Sequence, residues 1–101
     1  MHRIVKINIY DIIYDYKEAS QIINNACNRS EKMQVTGMFQ SADNIFISLE
    51  ESLEKNKYLF AKFSSPDEDD LLVEIKNRYF NNFSFIGRIE IDNDIWGLFY
   101  S

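Results

Sequence analysis

The feature that most constrains the fold is residues 35–52, where two apolar segments flank a short polar one. The first segment begins at Val35 with a Thr-Gly pair, and residues 45–49 read Ile-Phe-Ile-Ser-Leu. Between them, Asp43 and Asn44 are residues that tolerate turn conformations and hydrogen-bond locally. The pattern predicts a β-hairpin with strands over 35–40 and 45–49.

Further strands are predicted at both ends of the chain. Residues 3–10 are rich in β-branched side chains, and a period of two places Val5, Ile7 and Ile9 on one face with Lys6 on the other. Residues 83–92 alternate strictly, and a turn over 92–94 leads into an apolar run over 95–100. Continuous hydrophobicity in that run predicts a strand covered on both faces.

The first predicted helix begins after Asp15, with Glu18 completing a capping box, and ends near Arg29. Its buried face is predicted from residues that recur at helical spacing: Ala19, Ile22, Ile23, Ala26 and Cys27.

A second helix is predicted after Ser65 as N-cap, with Pro66 in the first helical position and Glu68 closing a capping box. We expect it to bury Leu71, Leu72, Ile75 and Tyr79. Between the hairpin and this helix, residues 53–63 fit two interpretations. They form either a strand over 58–63 or a short helix that carries Leu53, Phe60 and Phe63.

The resulting order of strands and helices predicts an α+β domain with the ferredoxin-like layout, in which two helices pack on one face of an antiparallel or mixed sheet. With 101 residues, the chain is expected to form one domain.

Composition limits the classes of partner. Sixteen acidic and eleven basic side chains give a formal charge of −5, which disfavours direct binding to nucleic acid. No apolar run reaches the roughly 20 residues needed to cross a membrane, and the first residues lack a secretory pattern, so a cytoplasmic location is expected. Cys27 is the single cysteine and His2 the single histidine, so neither a disulfide nor a zinc site is expected.

Four consecutive acidic residues open the second predicted helix: Asp67, Glu68, Asp69 and Asp70. Consecutive carboxylates splay around a helix, so we interpret them as favourable charges at its positive end and not as a metal site. They are also the candidate acidic interaction surface of this chain.

Several of these segments resemble the BLUF family of small flavin-binding blue-light sensors, over residues 3–52 and 93–99. Residues 3–6 read Arg-Ile-Val-Lys, residues 36–37 Thr-Gly, residues 46–52 Phe-Ile-Ser-Leu-Glu-Glu-Ser and residues 96–98 Trp-Gly-Leu. The family's pattern has Arg-aliphatic-aliphatic-Tyr, Thr-Gly, Phe-Leu-Gln-aliphatic-Leu-Glu-Gly and Trp-Ser-Met at these places. The resemblance implies a ferredoxin-like fold, and residues 53–63 make the middle longer than in the family.

Departures from that pattern imply a lost light response. Lys6 stands where the family has the tyrosine that gives an electron and a proton to the flavin, and Ser48 where it has the switching glutamine. A lysine ammonium group cannot act as a redox donor in the way a tyrosine phenol does. A serine side chain has no amide group, which carries both a hydrogen-bond donor and an acceptor. The flavin-holding asparagine falls near Arg29. The resemblance therefore implies that Lys6, Arg29, Ser48 and Trp96 surround a former flavin cleft between the helices, where the two cations bind an anion or pair with carboxylates such as Glu18.

No enzyme signature accompanies this scaffold, since the three glycines lie in strand-like contexts and no base and nucleophile pair is available. The leading hypothesis is a non-catalytic, cofactor-free regulatory module that binds a protein partner or associates with itself. One alternative is an acidic inhibitor that mimics nucleic acid toward a basic protein, encoded by a phage or mobile element, since the composition is typical of an AT-rich genome. The other is a binder of flavin or another small ligand without a light response.

Overall fold

Alternating strands and capped helices make up the domain. The computed structural model describes residues 2–29, 31–64 and 67–101. Within these ranges no helix is both long and apolar enough to cross a bilayer. The elements are β1 (His2–Asn8), α1 (Ile9–Tyr14), α2 (Tyr16–Cys27), β2 (Met33–Ser41), β3 (Asn44–Glu51), β4 (Tyr58–Lys62), α3 (Glu68–Phe80), β5 (Ser84–Ile91) and β6 (Asp94–Tyr100).

The strands form two antiparallel three-stranded sheets, with the orders β1-β3-β2 and β4-β6-β5. The hairpin predicted over 35–52 is confirmed, with Met38 opposite Ile47. The second predicted hairpin is β5 and β6, with Ile89 opposite Trp96. The α+β class is therefore confirmed. The arrangement within that class differs from the expected single sheet, because β6 lies between β4 and β5 and, among the described residues, no strand ladder joins the two sheets.

The main core lies between the inner faces of the two sheets and helix α2. Period-two alternation sends Ile7 of β1 and Ile47 of β3 into it, where they pack with Ile23 of α2 and with Phe60 and Leu98 of the second sheet. Each of these side chains is almost completely buried. Burial of a side chain of this size contributes about 1.5–3 kcal/mol.

A smaller core covers the opposite face of the second sheet. Leu71 of α3 packs there with Phe63, Ile95 and Phe99. Because β6 sends Ile95 and Phe99 to this side and Trp96 and Leu98 to the other, the strand is covered on both faces, as its apolar sequence predicts. Helices α2 and α3 consequently lie on opposite faces of the second sheet, and not on one face as expected.

The first strand is shorter than predicted. It ends at Asn8, whose Oδ1 accepts a hydrogen bond from the Tyr10 N–H at 2.9 Å and so caps the short helix α1. Ile9 therefore begins a helix and does not continue the strand. The next helix begins as expected, since Asp15 Oδ1 accepts from the Glu18 N–H at 3.2 Å.

Residues 58–62 resolve the ambiguity in the middle of the chain in favour of a strand, β4, which pairs with β6. Phe60 is buried in the main core, whereas Leu53 is 98% exposed and belongs to no helix.

Helix α3 begins later than predicted. Asp67 is its N-cap and accepts hydrogen bonds from the N–H groups of Asp69 and Asp70. The predicted cap Ser65 and its neighbour Pro66 lie outside the described residues. The expected buried face is half right, because Leu71 is buried while Leu72 and Tyr79 are exposed. One residue rotates the helix by about 100°, so Leu72 turns away from the sheet.

Candidate functional site

The outer face of the first sheet is the side turned away from the main core, and it carries Ile4, Lys6, Phe39, Phe46 and Ser48. Their positions alternate with the buried residues of β1 and β3. No described helix or strand covers this face, and Ile4 and Phe39 are 58% and 61% exposed. A sheet face left open is ordinarily polar, so exposed apolar side chains here are a specific feature.

Two phenylalanines dominate this outer face. Phe39 and Phe46 lie directly opposite each other on β2 and β3, with ring centroids 5.1 Å apart and ring planes inclined by 17°. Such a stacked cross-strand pair stabilises the hairpin while it presents a flat aromatic surface to the outside. Beside it is a depression of about 130 Å³ lined by Ile4, Gly37, Met38, Phe39, Phe46 and Ser48.

A bulge shapes the adjoining part of the hairpin. The register of β2 shifts between Val35 and Gly37, so Thr36 is an extra residue opposite β3. The Ser48 hydroxyl lies 3.3 Å from the Gly37 carbonyl oxygen and 3.2 Å from Thr36 Oγ1. A Cβ atom on Gly37 would lie only 2.9 Å from Ser48 Oγ, which accounts for a glycine at that position. The Ser48 side chain therefore has a structural role in the bulge.

The structure does not gather the four predicted cleft residues into one cleft. Lys6 and Ser48 share the outer face of the first sheet, since they alternate with Ile7 and Ile47. Trp96 packs in the main core, on the opposite side of that sheet. Arg29 is an exposed residue just after α2. The prediction that these four residues surround one cleft between the two helices is therefore wrong.

The two predicted cleft cations are also unpaired with the expected carboxylates. Among the described residues, neither Lys6 nor Arg29 forms an ion pair. The ion pairs that are present involve other residues, such as Lys62 with Asp94 at 3.4 Å.

The predicted acidic surface is exposed at the start of α3, with Asp67, Glu68, Asp69 and Asp70 all at the surface. Asp67 is engaged as the helix cap, and the other three lie in the first turn, where the positive end of the helix dipole favours them. Within the described ranges, no three residues of metal-binding type come together. An inhibitory role for this acidic surface stays a prediction.

A groove beside the edge of β4 surrounds Trp96. It has a volume of about 370 Å³ and is lined by Tyr16, Leu59, Phe60, Ala61, Lys62, Arg78 and Trp96. The rings of Tyr16 and Trp96 are 5.9 Å apart, and the indole N–H has no hydrogen-bond partner among the described residues. The groove thus combines three aromatic residues with two cations.

Cys27 and His2, the single cysteine and the single histidine, do not form a nucleophile and base pair. Cys27 is buried in the main core, and this burial raises the pKa of its thiol. His2 is exposed on β1, with its Nδ1 3.9 Å from a Glu50 carboxylate oxygen. A buried thiol with a raised pKa is a poor nucleophile.

The outer-face aromatic pair and the Trp96 groove were not anticipated as sites from the sequence. A signal for the first was present, because Phe39 and Phe46 occupy positions of the hairpin that alternate with its buried residues. A signal for the groove was not, since its residues come from α2, β4, β6 and α3.

No family model matches the chain, and neither the curated proteins nor the solved structures include a significant match. The BLUF resemblance accordingly stays a prediction.

Proposed function

We propose that this protein is a non-catalytic interaction module that binds a protein partner through the outer face of its first sheet. The observation that carries the proposal is the stacked pair of the exposed Phe39 and the half-buried Phe46 on a sheet face that no described element covers. Rigid aromatic rings are enriched at the energetic centre of protein interfaces, because they bury a large area at little entropic cost.

Charge placement supports the same proposal. Lys6 lies on this face next to Phe46, directly opposite it in the register of β1 and β3. An exposed cation beside an aromatic patch selects a partner that presents apolar side chains flanked by a carboxylate. The inner face of the sheet is packed in the main core, so the partner would meet a preformed surface.

Site-specific photo-crosslinking tests the proposal. A photoreactive phenylalanine analogue at position 39 is expected to give a discrete adduct in extract of the source cell, and the same analogue at Leu72 is expected to give none. Leu72 is a matched control because it is also 61% exposed but lies on α3. Excess wild-type protein should compete the adduct away, whereas the doubly substituted Phe39→Lys, Phe46→Lys protein should not. Equal adducts at both positions would contradict the proposal.

A second candidate function is binding of a small anionic aromatic ligand, such as a flavin, in the groove beside β4. The specific observation is the combination of Tyr16 and Trp96 with Lys62 and Arg78 around a volume of about 370 Å³. Small-ligand pockets have volumes of about 300–1,000 Å³, so the groove is at the lower end of that range.

The single tryptophan is a built-in probe for this second candidate. Titration with a flavin should quench Trp96 fluorescence and leave bound flavin absorbance after gel filtration. Arg78→Gln should weaken the quenching, and Arg29→Gln, at an exposed site away from the groove, should not. A purified protein that stays colourless and unquenched after soaking with flavin would remove this candidate for flavins.

A further inference from the structure

The four edge strands of the two sheets differ in how their free edges are protected. On β5, the side chain of Gln40 hydrogen-bonds both backbone groups of Glu90. On β4, Asn24 does the same for Tyr58, and the Ser20 hydroxyl accepts from the Phe60 N–H at 2.9 Å. Proteins ordinarily protect sheet edges in such ways, because unpaired backbone groups recruit other strands.

The edge of β2 is protected by different means. Its ladder is interrupted by the bulge between Val35 and Gly37. The Val35 N–H donates to the Tyr58 hydroxyl at 2.9 Å. Bulges twist an edge and make it a poor template for pairing.

In contrast, β1 is an open edge. Its register with β3 runs without a bulge from His2 to Asn8. The Ile9 N–H donates to the Asp43 carbonyl oxygen in the same register, so odd-numbered residues of β1 bond to β3 and the backbone groups of Ile4 and Lys6 point away from it. Among the described residues, none donates to or accepts from those groups. The strand contains no proline.

Exposed apolar side chains lie on β1 and on the short helix that follows it. Ile4 on β1 is followed by Tyr10, Ile13 and Tyr14 on α1, which packs against β1 and α2. All four are exposed, and Tyr14 is 91% exposed. The buried side of α1 is formed by Ile9 and Ile12, so this short helix is apolar on its outer side as well.

From these observations we propose that β1 pairs with β1 of a second copy of this chain, antiparallel about a two-fold axis at Val5, to give a continuous six-stranded sheet. In this register Ile4 lies opposite Lys6 of the partner subunit, and the outward backbone groups form about four hydrogen bonds, two for each such pair.

The side chains of β1 favour the register centred on Val5 over the other two-fold registers of two β1 strands. A register centred on Lys6 would place two ammonium groups directly opposite each other, which is destabilising. A register centred on Ile4 would pair fewer residues of β1. About Val5, residues 2–8 of two copies pair over the whole strand without opposing like charges, and an isologous dimer requires a surface that can pair with itself in this way.

The pairing is a form of self-association and in that sense deepens the proposed function, but it uses the edge of the sheet and not its outer face. Phe39 lies on β2, at the far edge of the sheet. The Phe39→Lys protein should therefore lose competition for the partner adduct and keep the dimer dissociation constant of the wild type. Because the Ile4 side chain also lies on the outer face, substitutions at Ile4 are assessed by the dimer dissociation constant and not by the adduct, so that either proposal can fail without the other.

Sedimentation equilibrium across a concentration series tests the pairing. Ile4→Lys should raise the dimer dissociation constant about tenfold, because the introduced ammonium then faces Lys6 of the partner subunit and the symmetry repeats the repulsion twice. Ile4→Glu should lower it several-fold, and Lys6→Glu combined with Ile4→Lys should restore dimerisation. Position 4 is exposed, so these substitutions leave the core intact, and Phe39→Lys is the matched control.

Hydrogen exchange adds a second measurement. The amides of Ile4 and Lys6 should exchange more slowly at dimer-forming concentrations than in dilute solution. A protein that remains monomeric at about 1 mM would overturn the proposal. So would a dimer whose dissociation constant is the same for Ile4→Lys and Ile4→Glu, because that dimer would use another surface or another register.

Discussion

The side-chain amide of Gln40 takes the place of a neighbouring strand for Glu90. Gln40 Nε2 donates to the Glu90 carbonyl oxygen at 2.6 Å, and the Glu90 N–H donates to Gln40 Oε1 at 3.1 Å. This pair connects β2 of the first sheet to the edge of β5 in the second. It is a polar contact between two sheets that share a core and, within the described ranges, no strand ladder.

We predict that Gln40→Ala lowers the free energy of unfolding by about 1 kcal/mol, because two hydrogen bonds at a partly solvated edge are lost. Gln40→Glu should cost at least as much, since a carboxylate cannot donate to the Glu90 carbonyl oxygen. Urea denaturation measures both. Gln34→Ala is the control, because Gln34 lies on the same strand and makes no side-chain hydrogen bond with another described residue. Equal stability of the Gln34 and Gln40 variants would contradict this prediction.

A second side-chain amide, that of Asn24 on α2, hydrogen-bonds the free edge of β4 in the second sheet. Asn24 Nδ2 donates to the Tyr58 carbonyl oxygen at 3.1 Å, and the Tyr58 N–H donates to Asn24 Oδ1 at 2.8 Å. These groups are more buried than those at Gln40, so Asn24→Ala should lower the free energy of unfolding by about 2 kcal/mol. The measurement is again urea denaturation, now with the slope of the transition checked for two-state behaviour.

Asn25→Ala is the matched control for this substitution. Asn25 is the next residue of the same helix and is exposed, and its side chain accepts a hydrogen bond from Gln21 of that helix and contacts no strand through a hydrogen bond among the described residues. We expect it to change stability by less than about 0.5 kcal/mol. Comparable losses at positions 24 and 25 would show that helix propensity, and not the contact with β4, determines the effect.

These two contacts join segments that are far apart in the sequence, and such contacts could not be predicted from it. The hairpins could be predicted because period-two alternation and turn residues are local signals. The bond from Gln40 to Glu90 joins residues 50 positions apart, and that from Asn24 to Tyr58 joins residues 34 positions apart. Nothing in the local pattern of either segment indicates that an amide will replace a strand, so the division into two sheets was not predictable.

The candidate site was predictable in part for the same reason. The alternation in residues 3–8 correctly places Lys6 opposite the buried face, and that in residues 44–49 places Phe46 and Ser48 there too. Whether Trp96 joins them depends on which strands share a sheet. That question is decided by packing between distant segments, and it separates Trp96 from Lys6.

Glycines in the second sheet provide a prediction about packing. A Cβ atom on Gly97 would lie 2.9–3.1 Å from ring carbons of Phe99, Phe63 and Phe85. Gly97→Ala should therefore lower the free energy of unfolding by about 1–3 kcal/mol, because three mutually packed rings cannot all move aside. Thermal unfolding followed by circular dichroism measures the loss.

Gly87→Ala is the informative comparison. Its Cβ atom would lie 2.5 Å from Met38 Cε, which is nearer than any contact at Gly97. Met38 is an unbranched side chain whose end can change rotamer, so we expect a smaller loss than at Gly97. A larger loss for Gly87→Ala would mean that the contact between β2 and β5 is less adaptable than the aromatic cluster.

Alkaline pH should destabilise the protein through Tyr58. Burial raises the pKa of its hydroxyl above the ordinary value of 10.0, and the hydrogen bond from the Val35 N–H opposes this only in part. Above pH 10 the unfolded chain loses this proton while the folded protein keeps it. The stability contributed by the neutral hydroxyl is therefore complete below pH 10 and declines as the pH rises from there toward the raised pKa.

Cys27 adds a similar decline that begins at a lower pH, since burial raises the pKa of its thiol above 9.0. Unfolding midpoints in urea, measured from pH 7 to pH 11, should fall in two overlapping steps. Cys27→Ala should remove the earlier step and Tyr58→Phe the later one, each at some cost in stability at pH 7. A profile that retains both steps in the double variant would assign the alkaline loss to other groups.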